Sequence, residues 1–360
     1  MKIRTVLFVL SLLVCATGSM AQAPKKKLKD KVKERIEQKY EQLKPKIDSL
    51  AEKGKIVQGK VDSVLDIKEA KKSFDPEYIR RPKEKWMFKA RYNAFGAKLE
   101  SEGVMSDSEH TRLNLHSNMK TTFNFGVNYR GIALGIGFNP GYLLGLESDL
   151  EVNINSYSNR YGYDIIFQSA RTYKGTAYRG ETSYELEKGV VKQNTLTASG
   201  YYVFNNQHFS YPAAFSQTYE QLRSCGSWLA GASILAGNIY APRNTVSNMP
   251  SSRISLGTIA IGGGYAYNLV TKKRWLFHIS ALPTIVAVAH NHVKYGGERE
   301  NMSFHFPDFI ITGRGAVIRN FDRFFAGGNF VVTTTALGSR NKLYVNYTKW
   351  QAHLIFGIRL

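Results

Sequence analysis

Three groupings of side chains in this 360-residue chain have residue types and spacing that chemistry can use. His290 and His292 lie two apart, so on a strand both rings point the same way, a spacing that can hold a metal ion. Only Glu298 and Glu300 follow nearby, in a polar loop, and spacing fixes no third ligand; two polar residues at a strand end are expected, not a metal site. His208 with Ser210 and Ser216 offers a base and two hydroxyls, the ingredients of an enzyme acting on lipid or lipopolysaccharide acyl chains. Such a site also needs an orienting third group and an oxyanion site, which spacing does not supply. Gly262-Gly263-Gly264 has the glycine content of a phosphate loop, yet no helix follows and Tyr265 to Leu269 continue a strand. Its glycines read as permitting tight packing. Cys225 reads as a small buried or lipid-facing residue. No catalytic residue, metal or cofactor is assigned.

The motif with the most local structure is Asn205, His208, Phe209, Ser210, Tyr211 and Pro212, running on to Phe215. A proline among aromatics suits a rigid plug, a docking lip, or an ordered turn that closes the base of a barrel. The catalytic and docking readings both depend on what positions this segment.

From Trp86 onward the hydrophobic period is two. Thr121, Phe123, Phe125, Val127 and Tyr129 share one strand face, and Lys120, Thr122, Asn124, Gly126 and Asn128 the other. Ile259, Ile261, Tyr265, Tyr267 and Leu269 oppose Thr258, Ala260, Gly262, Gly264, Ala266 and Asn268. At the C-terminus Trp350, Ala352, Leu354, Phe356, Ile358 and Leu360 oppose Gln351, His353, Ile355, Gly357 and Arg359. Apolar and aromatic residues on one side, with Gly, Asn, Thr and charges on the other, is the pattern of a transmembrane outer-membrane β-barrel. The expected lumen-lining residues are Lys120, Asn124, Asn128, Arg130, His353 and Arg359. The alternation predicts an all-β fold of about twelve antiparallel strands, at 86–98, 111–129, 131–139, 147–157, 161–172, 193–204, 214–240, 254–269, 274–290, 305–318, 323–336 and 342–360. Short connections alternate with longer polar ones at 99–110, 140–146, 173–192, 241–253 and 291–304, as periplasmic turns alternate with external loops.

The ends and the composition set the compartment. Lys2 and Arg4, the apolar run Val6 to Ala16, and Ser19-Met20-Ala21 read as a secretory signal peptide over residues 1–21. Residues 22–85 hold 20 Lys/Arg and 12 Asp/Glu, and Leu28, Val32, Ile36, Tyr40, Leu43 and Ile47 recur at helical spacing. This is expected to be a basic, partly helical periplasmic extension and linker, with the barrel at 86–360. The net charge is +21, but export removes nucleic acid as the partner. Outer-membrane lipid, the barrel-assembly machinery, and a periplasmic protein or anionic envelope component met by residues 24–72 are the expected partners. With Cys15 in the signal, Cys225 is the one cysteine left, which excludes a disulfide framework or Cys-based zinc site.

The stretches Gly200 to Asn205, Phe209 to Phe215 and Gln221 to Ser227, with Tyr129-Arg130-Gly131 and Gly263 to Asn268, resemble the domain of unknown function 4421 family. The resemblance covers about residues 75 to 360. It implies an exported, β-rich outer-membrane protein of the Bacteroidetes group and carries over no catalytic residues. The functions left open are a narrow pore or structural envelope protein, with anion preference if it conducts, a lipid-modifying enzyme, and a periplasmic docking protein.

Overall fold

A computed structural model describes residues 74–104, 110–130, 132–143, 150–242, 251–295, 298–301, 307–339 and 343–360. The expected signal peptide and most of the basic extension lie outside these residues. The strands are β1 (Ile79–Arg80), β2 (Trp86–Val104), β3 (His110–Ser117), β4 (Lys120–Tyr129), β5 (Ile132–Phe138) and β6 (Leu150–Tyr157). They continue as β7 (Tyr161–Arg179), β8 (Thr182–Val203), β9 (Glu220–Gln221), β10 (Cys225–Ala241), β11 (Ser252–Val270) and β12 (Trp275–Ala289). The last are β13 (His292–Tyr295), β14 (Glu298–Asn301), β15 (Phe309–Asn320), β16 (Phe324–Ser339) and β17 (Leu343–Arg359). Two short helices, α1 (Pro140–Leu143) and α2 (Tyr211–Phe215), interrupt them.

Antiparallel pairing runs β10-β8-β7-β3-β2-β17-β16-β15-β12-β11 and returns from β11 to β10, so the sheet closes on itself. Where it runs through β3 the ring has no open edge. The fold is an all-β transmembrane barrel. Trp86 and Leu360 exchange backbone hydrogen bonds of 3.0 and 2.8 Å, which puts both ends of the wall at one end of the barrel, here the base. The opposite end, with the β13–β14 hairpin, is the rim.

Within single strands the outward and inward faces trade character part-way up. Near the base β2 turns Trp86, Phe88 and Tyr92 outward and Lys89, Arg91 and Asn93 inward; toward the rim it turns Lys98, Glu100 and Glu102 outward and Ala97 and Leu99 inward. In β17, Leu354 and Phe356 are exposed near the base, while Val345 and Tyr347 are buried near the rim. The rim storey therefore has an apolar core that includes Leu99, Leu115, Tyr173, Val191, Leu235, Ile254 and Leu337. The segments expected as external loops at 99–110 and 173–192 are largely the continuations of β2, β3, β7 and β8. Their polar residues face outward on strands that have left the lipid, so the apolar-out pattern disappears while the pairing continues.

The two storeys also differ in strand number. Register advances by one residue between Lys98↔His116 and Phe95↔Lys120, a bulge where Ala97 N donates to Ser117 Oγ at 2.8 Å. Above it β3 pairs with β7; there Gly175 lies at φ +155 with no room for a Cβ, which would meet Asn114 O at 1.9 Å. Below it β4 pairs with β5, and β6 pairs with β7. Twelve strands thus make the base storey among the described residues, and ten the rim storey. Among the described residues no ladder joins β5 to β6.

The expected strand at 214–240 is corrected. Its first residues belong to α2, Glu220–Gln221 form β9, and the wall strand begins only at Cys225. Pro212 and the Ser210 cap favour a helical turn, and a side chain buried on every position leaves no alternating face. Within the expected linker before residue 86, β1 pairs with β9 and Ile79 is fully buried.

Candidate functional site: the luminal plug

Between β8 and β10 the chain turns into the lumen. Asn205 sets the turn: its Nδ2 donates to Gly226 O at 2.9 Å, and its carbonyl accepts from Phe209 N at 2.9 Å. Ser210 caps α2, accepting from Ala213 N at 3.3 Å and donating to Asn159 Oδ1 at 2.8 Å. Lys89 Nζ donates to Ser216 O at 2.9 Å, at the C-terminal end of the helix. Phe209, Tyr211, Ala213, Ala214 and Phe215 are buried against the inward side chains Tyr201, Val203, Leu229, Leu276 and Leu282 of the wall.

The plug is tied down by Glu220. Its carboxylate accepts from Arg359 Nη1 at 2.9 Å, meets Arg274 Nη2 at 3.4 Å, and pairs with Arg80. These three arginines come from β17, the β11–β12 turn and β1. Arg359 reaches further, donating to Gln217 O and Asn320 Oδ1, each at 3.2 Å. Gln221 joins the remaining pieces: its Oε1 accepts from Ser210 N at 2.9 Å and from Asn268 Nδ2 at 3.0 Å, and its Nε2 donates to His208 O at 2.6 Å.

The structure does not bring together the three residues of the expected acyl-chain site. His208 Nδ1 meets Asn205 Oδ1 at 2.9 Å and its Nε2 faces Asp75 at 3.3 Å. Ser210 caps the helix, while Ser216 Oγ bonds Pro212 O and Thr218. Of the expected lumen residues, Lys120, Asn124, Asn128, His353 and Arg359 lie on inward faces, with His353 Nδ1 2.6 Å from Asn93 Oδ1. Arg130 instead sits in the β4–β5 turn at φ 48, where its carbonyl accepts from Arg81 Nη2 at 2.9 Å. His292 Nδ1 lies 3.5 Å from Arg299 Nη2. Slight burial, then the charges of Arg299, Lys294 and His290, lower its pKa. Gly262 and Gly264 lie in β11, where a Cβ would meet the β12 carbonyls of Pro283 and Ala281 at 2.2 and 2.1 Å.

The sequence profile of the domain of unknown function DUF4421 matches residues 73–359. The chain belongs to this family. Its boundary coincides with the start of the plug-bearing unit at Ser73, so in the DUF4421 chain β1 and the plug are part of the same domain as the wall. No curated protein is detectably similar in sequence. Among solved structures, the translocator domain of the autotransporter NalP from Neisseria meningitidis is 7% identical, at a TM-score of 0.32, covering 87% of this chain and 98% of its own. Outer-membrane expressed OmpT of Vibrio cholerae is 9% identical at a TM-score of 0.29, covering 76% and 98%. The P. putida toluene transporter TodX is 7% identical at 0.23, covering 78% and 91%.

Sequence reading missed Glu220, Lys89, Asp164, Asn268, His278, Ser280 and Arg314, all of which face the lumen or the plug. Arg314 Nη2 donates to Asp164 Oδ2 at 2.8 Å and to Ser199 Oγ at 3.3 Å. Tyr157 also bonds Asp164. The signal was present as polar residues at inward positions, but which of them meet depends on cross-strand register, which alternation does not give.

Proposed function

We propose that this DUF4421 protein is a sealed outer-membrane barrel, base toward the periplasm, that serves as a structural envelope element and not as a pore. The observation carrying this reading is the Glu220 hub, which fastens an intrachain plug to three parts of the base. The apolar core of the rim storey supports it from the other end. Arg314, Lys349 and Arg359 each pair with a carboxylate of Asp164, Glu151 or Glu220, which offsets part of the positive charge behind the expected anion preference. Under this reading the protein is exported and inserted by the barrel-assembly machinery, its outward aromatic and aliphatic band meets lipid, and residues 24–72 contact periplasmic protein or anionic envelope components.

The test is single-channel recording of refolded protein whose gel mobility shifts on boiling. A folded barrel that passes no steady current is expected. Reproducible conductance steps in the wild type would remove the sealed reading and restore the pore.

A further inference from the structure

At the base of the wall, two neighbouring turns gather cations that no carboxylate answers. The β11–β12 turn closes within four residues: Arg274 N donates to Thr271 O and Thr271 N to Trp275 O, each at 3.0 Å. That puts Lys272 and Lys273 at its tip, both exposed. The β15–β16 turn closes with Phe321 N donating to Phe324 O at 2.8 Å, and Asp322 and Arg323 form its exposed tip. The two turns are joined, because Asn320 N donates to Arg274 O at 3.1 Å. Arg274 Nη1 also meets Asp322 Oδ1 at 3.0 Å, so the one side-chain carboxylate of these turns is already paired. Among the described residues no carboxylate lies within ion-pair distance of Lys272, Lys273, Arg319 or Arg323.

Arg319 sets this patch apart from the ordinary charges of a turn in water. It holds the last outward position of β15, in line with the exposed side chains Phe309, Ile311 and Val317. Trp275 on β12 is its direct cross-strand partner. The Arg319 guanidinium lies 5.2 Å from the centroid of the Trp275 ring and 4.8 Å from that of Phe321. Two rings thus hold the cation where the outward aromatic band gives way to turns, the depth of lipid headgroups on a barrel. Phe277 and Val317, the next outward positions toward the rim, are exposed, as is Phe324. A guanidinium held at that depth without a carboxylate is matched by a phosphodiester, whose oxygens accept from two of its donors at once. The β6–β7 turn offers only a partial likeness: Arg160 lies 5.6 Å from the Tyr202 ring, with no second cation in that turn.

We propose that the β11–β12 and β15–β16 turns form a binding site for the headgroup of an anionic phospholipid. Arg319 takes the phosphate, Lys272, Lys273 and Arg323 surround it, and the acyl chains lie along Phe277, Val317 and Phe324. A phosphatidylethanolamine brings its own ammonium into this cluster, and Asp322, the carboxylate that could receive it, is bonded to Arg274. A phosphatidylglycerol headgroup carries no such cation. The site ties a structural barrel to the charged lipids of one leaflet. That this leaflet is phospholipid rests on the proposed orientation, base toward the periplasm; whether the lumen is sealed does not enter.

The test uses full-length protein, folded in detergent and checked by heat-dependent gel mobility. It is titrated with phosphatidylglycerol, phosphatidylethanolamine or lipid A, and bound lipid is read by native mass spectrometry. Phosphatidylglycerol is expected to bind more tightly than phosphatidylethanolamine. Arg319→Gln alone should weaken phosphatidylglycerol binding about fivefold. Joint replacement of Lys272, Lys273, Arg319 and Arg323 by Gln should abolish the preference. A charge-matched variant with Gln at the exposed rim positions Lys98, Arg112, Lys174 and Lys192 should change binding by less than about twofold, since those charges lie well beyond a Debye length from the base. Equal binding of the two phospholipids by the wild type overturns the proposal, as does a base variant that binds phosphatidylglycerol like the wild type. An equal loss in the rim variant also overturns it, because net charge alone then explains binding. Lipid A that binds more tightly than phosphatidylglycerol, and is lost in the base variant, overturns the phospholipid assignment together with the orientation of the base. The sealed lumen is read separately, by conductance.

Discussion

The base and rim storeys of this barrel are built from the same strands, yet they solve opposite solvation problems. Near the base, β12 sends Phe277 and Ile279 outward, Ile279 with 70% of its surface exposed, and His278 and Ser280 inward. Toward the rim, the interior takes Leu99, Leu235 and Leu337, and the exterior takes Lys98, Glu100, His110 and Arg112. Lipid accepts apolar side chains but no unpaired polar group, so the base storey keeps its polar residues inside, where many of them bond one another. Water accepts the polar exterior of the rim storey, which is then held by an apolar interior like that of a soluble barrel. The change of solvent, not of secondary structure, sets which face is which.

The largest expected effect comes from violating the rim rule. Leu235→Asp puts an unpaired carboxylate into the rim core and should cost about 5 kcal/mol, enough to abolish the heat-dependent mobility shift. Glu100→Leu, on the outer face of the same storey, should leave stability within about 0.5 kcal/mol. Equal losses in the two variants would mean that the rim storey does not stand in water.

This division explains what the sequence made legible. The strands near the base were readable because apolar-out alternation at Phe123, Phe125 and Val127 or Leu354 and Phe356 is unlike a soluble strand. The same period continues at Lys98-Leu99-Glu100, but read with the base rule its charged outer face looks like a polar loop, and β2, β7 and β8 were cut short. The plug motif was visible as Asn205 to Phe215 because proline and aromatics cluster there. Its partners were not. Glu220 meets arginines 54, 139 and 140 positions away in sequence, contacts that only barrel closure brings together.

The plug offers the next contrast. Glu220→Ala leaves Arg359 buried without its carboxylate and should destabilise the barrel by about 3–5 kcal/mol in a denaturant titration. The lipid-facing counterpart is smaller. Ile279→Arg places a charge in hydrocarbon near the base and should cost about 2–4 kcal/mol at mid-bilayer depth, less toward an interface. The same change at Glu100, where the side chain already meets water, is expected to be nearly neutral. If Ile279→Arg were equally neutral, the outward band of the base storey would not be the lipid-facing surface.

The smallest effect separates the three arginines that share one acceptor. Arg359 is 2% exposed and bonds Glu220, Gln217 and Asn320, whereas the Arg80 side chain is 49% exposed and reaches only the outer oxygen of Glu220. Water screens Arg80 and competes for its donors, so Arg80→Ala should lower stability by no more than about 1 kcal/mol. Arg359→Ala strands the carbonyl of Gln217 and one oxygen of Glu220 in a dry site, and its cost should be several times larger. Paired denaturant titrations give the order directly. A larger loss for Arg80→Ala would make β1, not the C-terminal strand, the principal anchor of the plug, and would move the weight of the base from the wall to the segment beneath it.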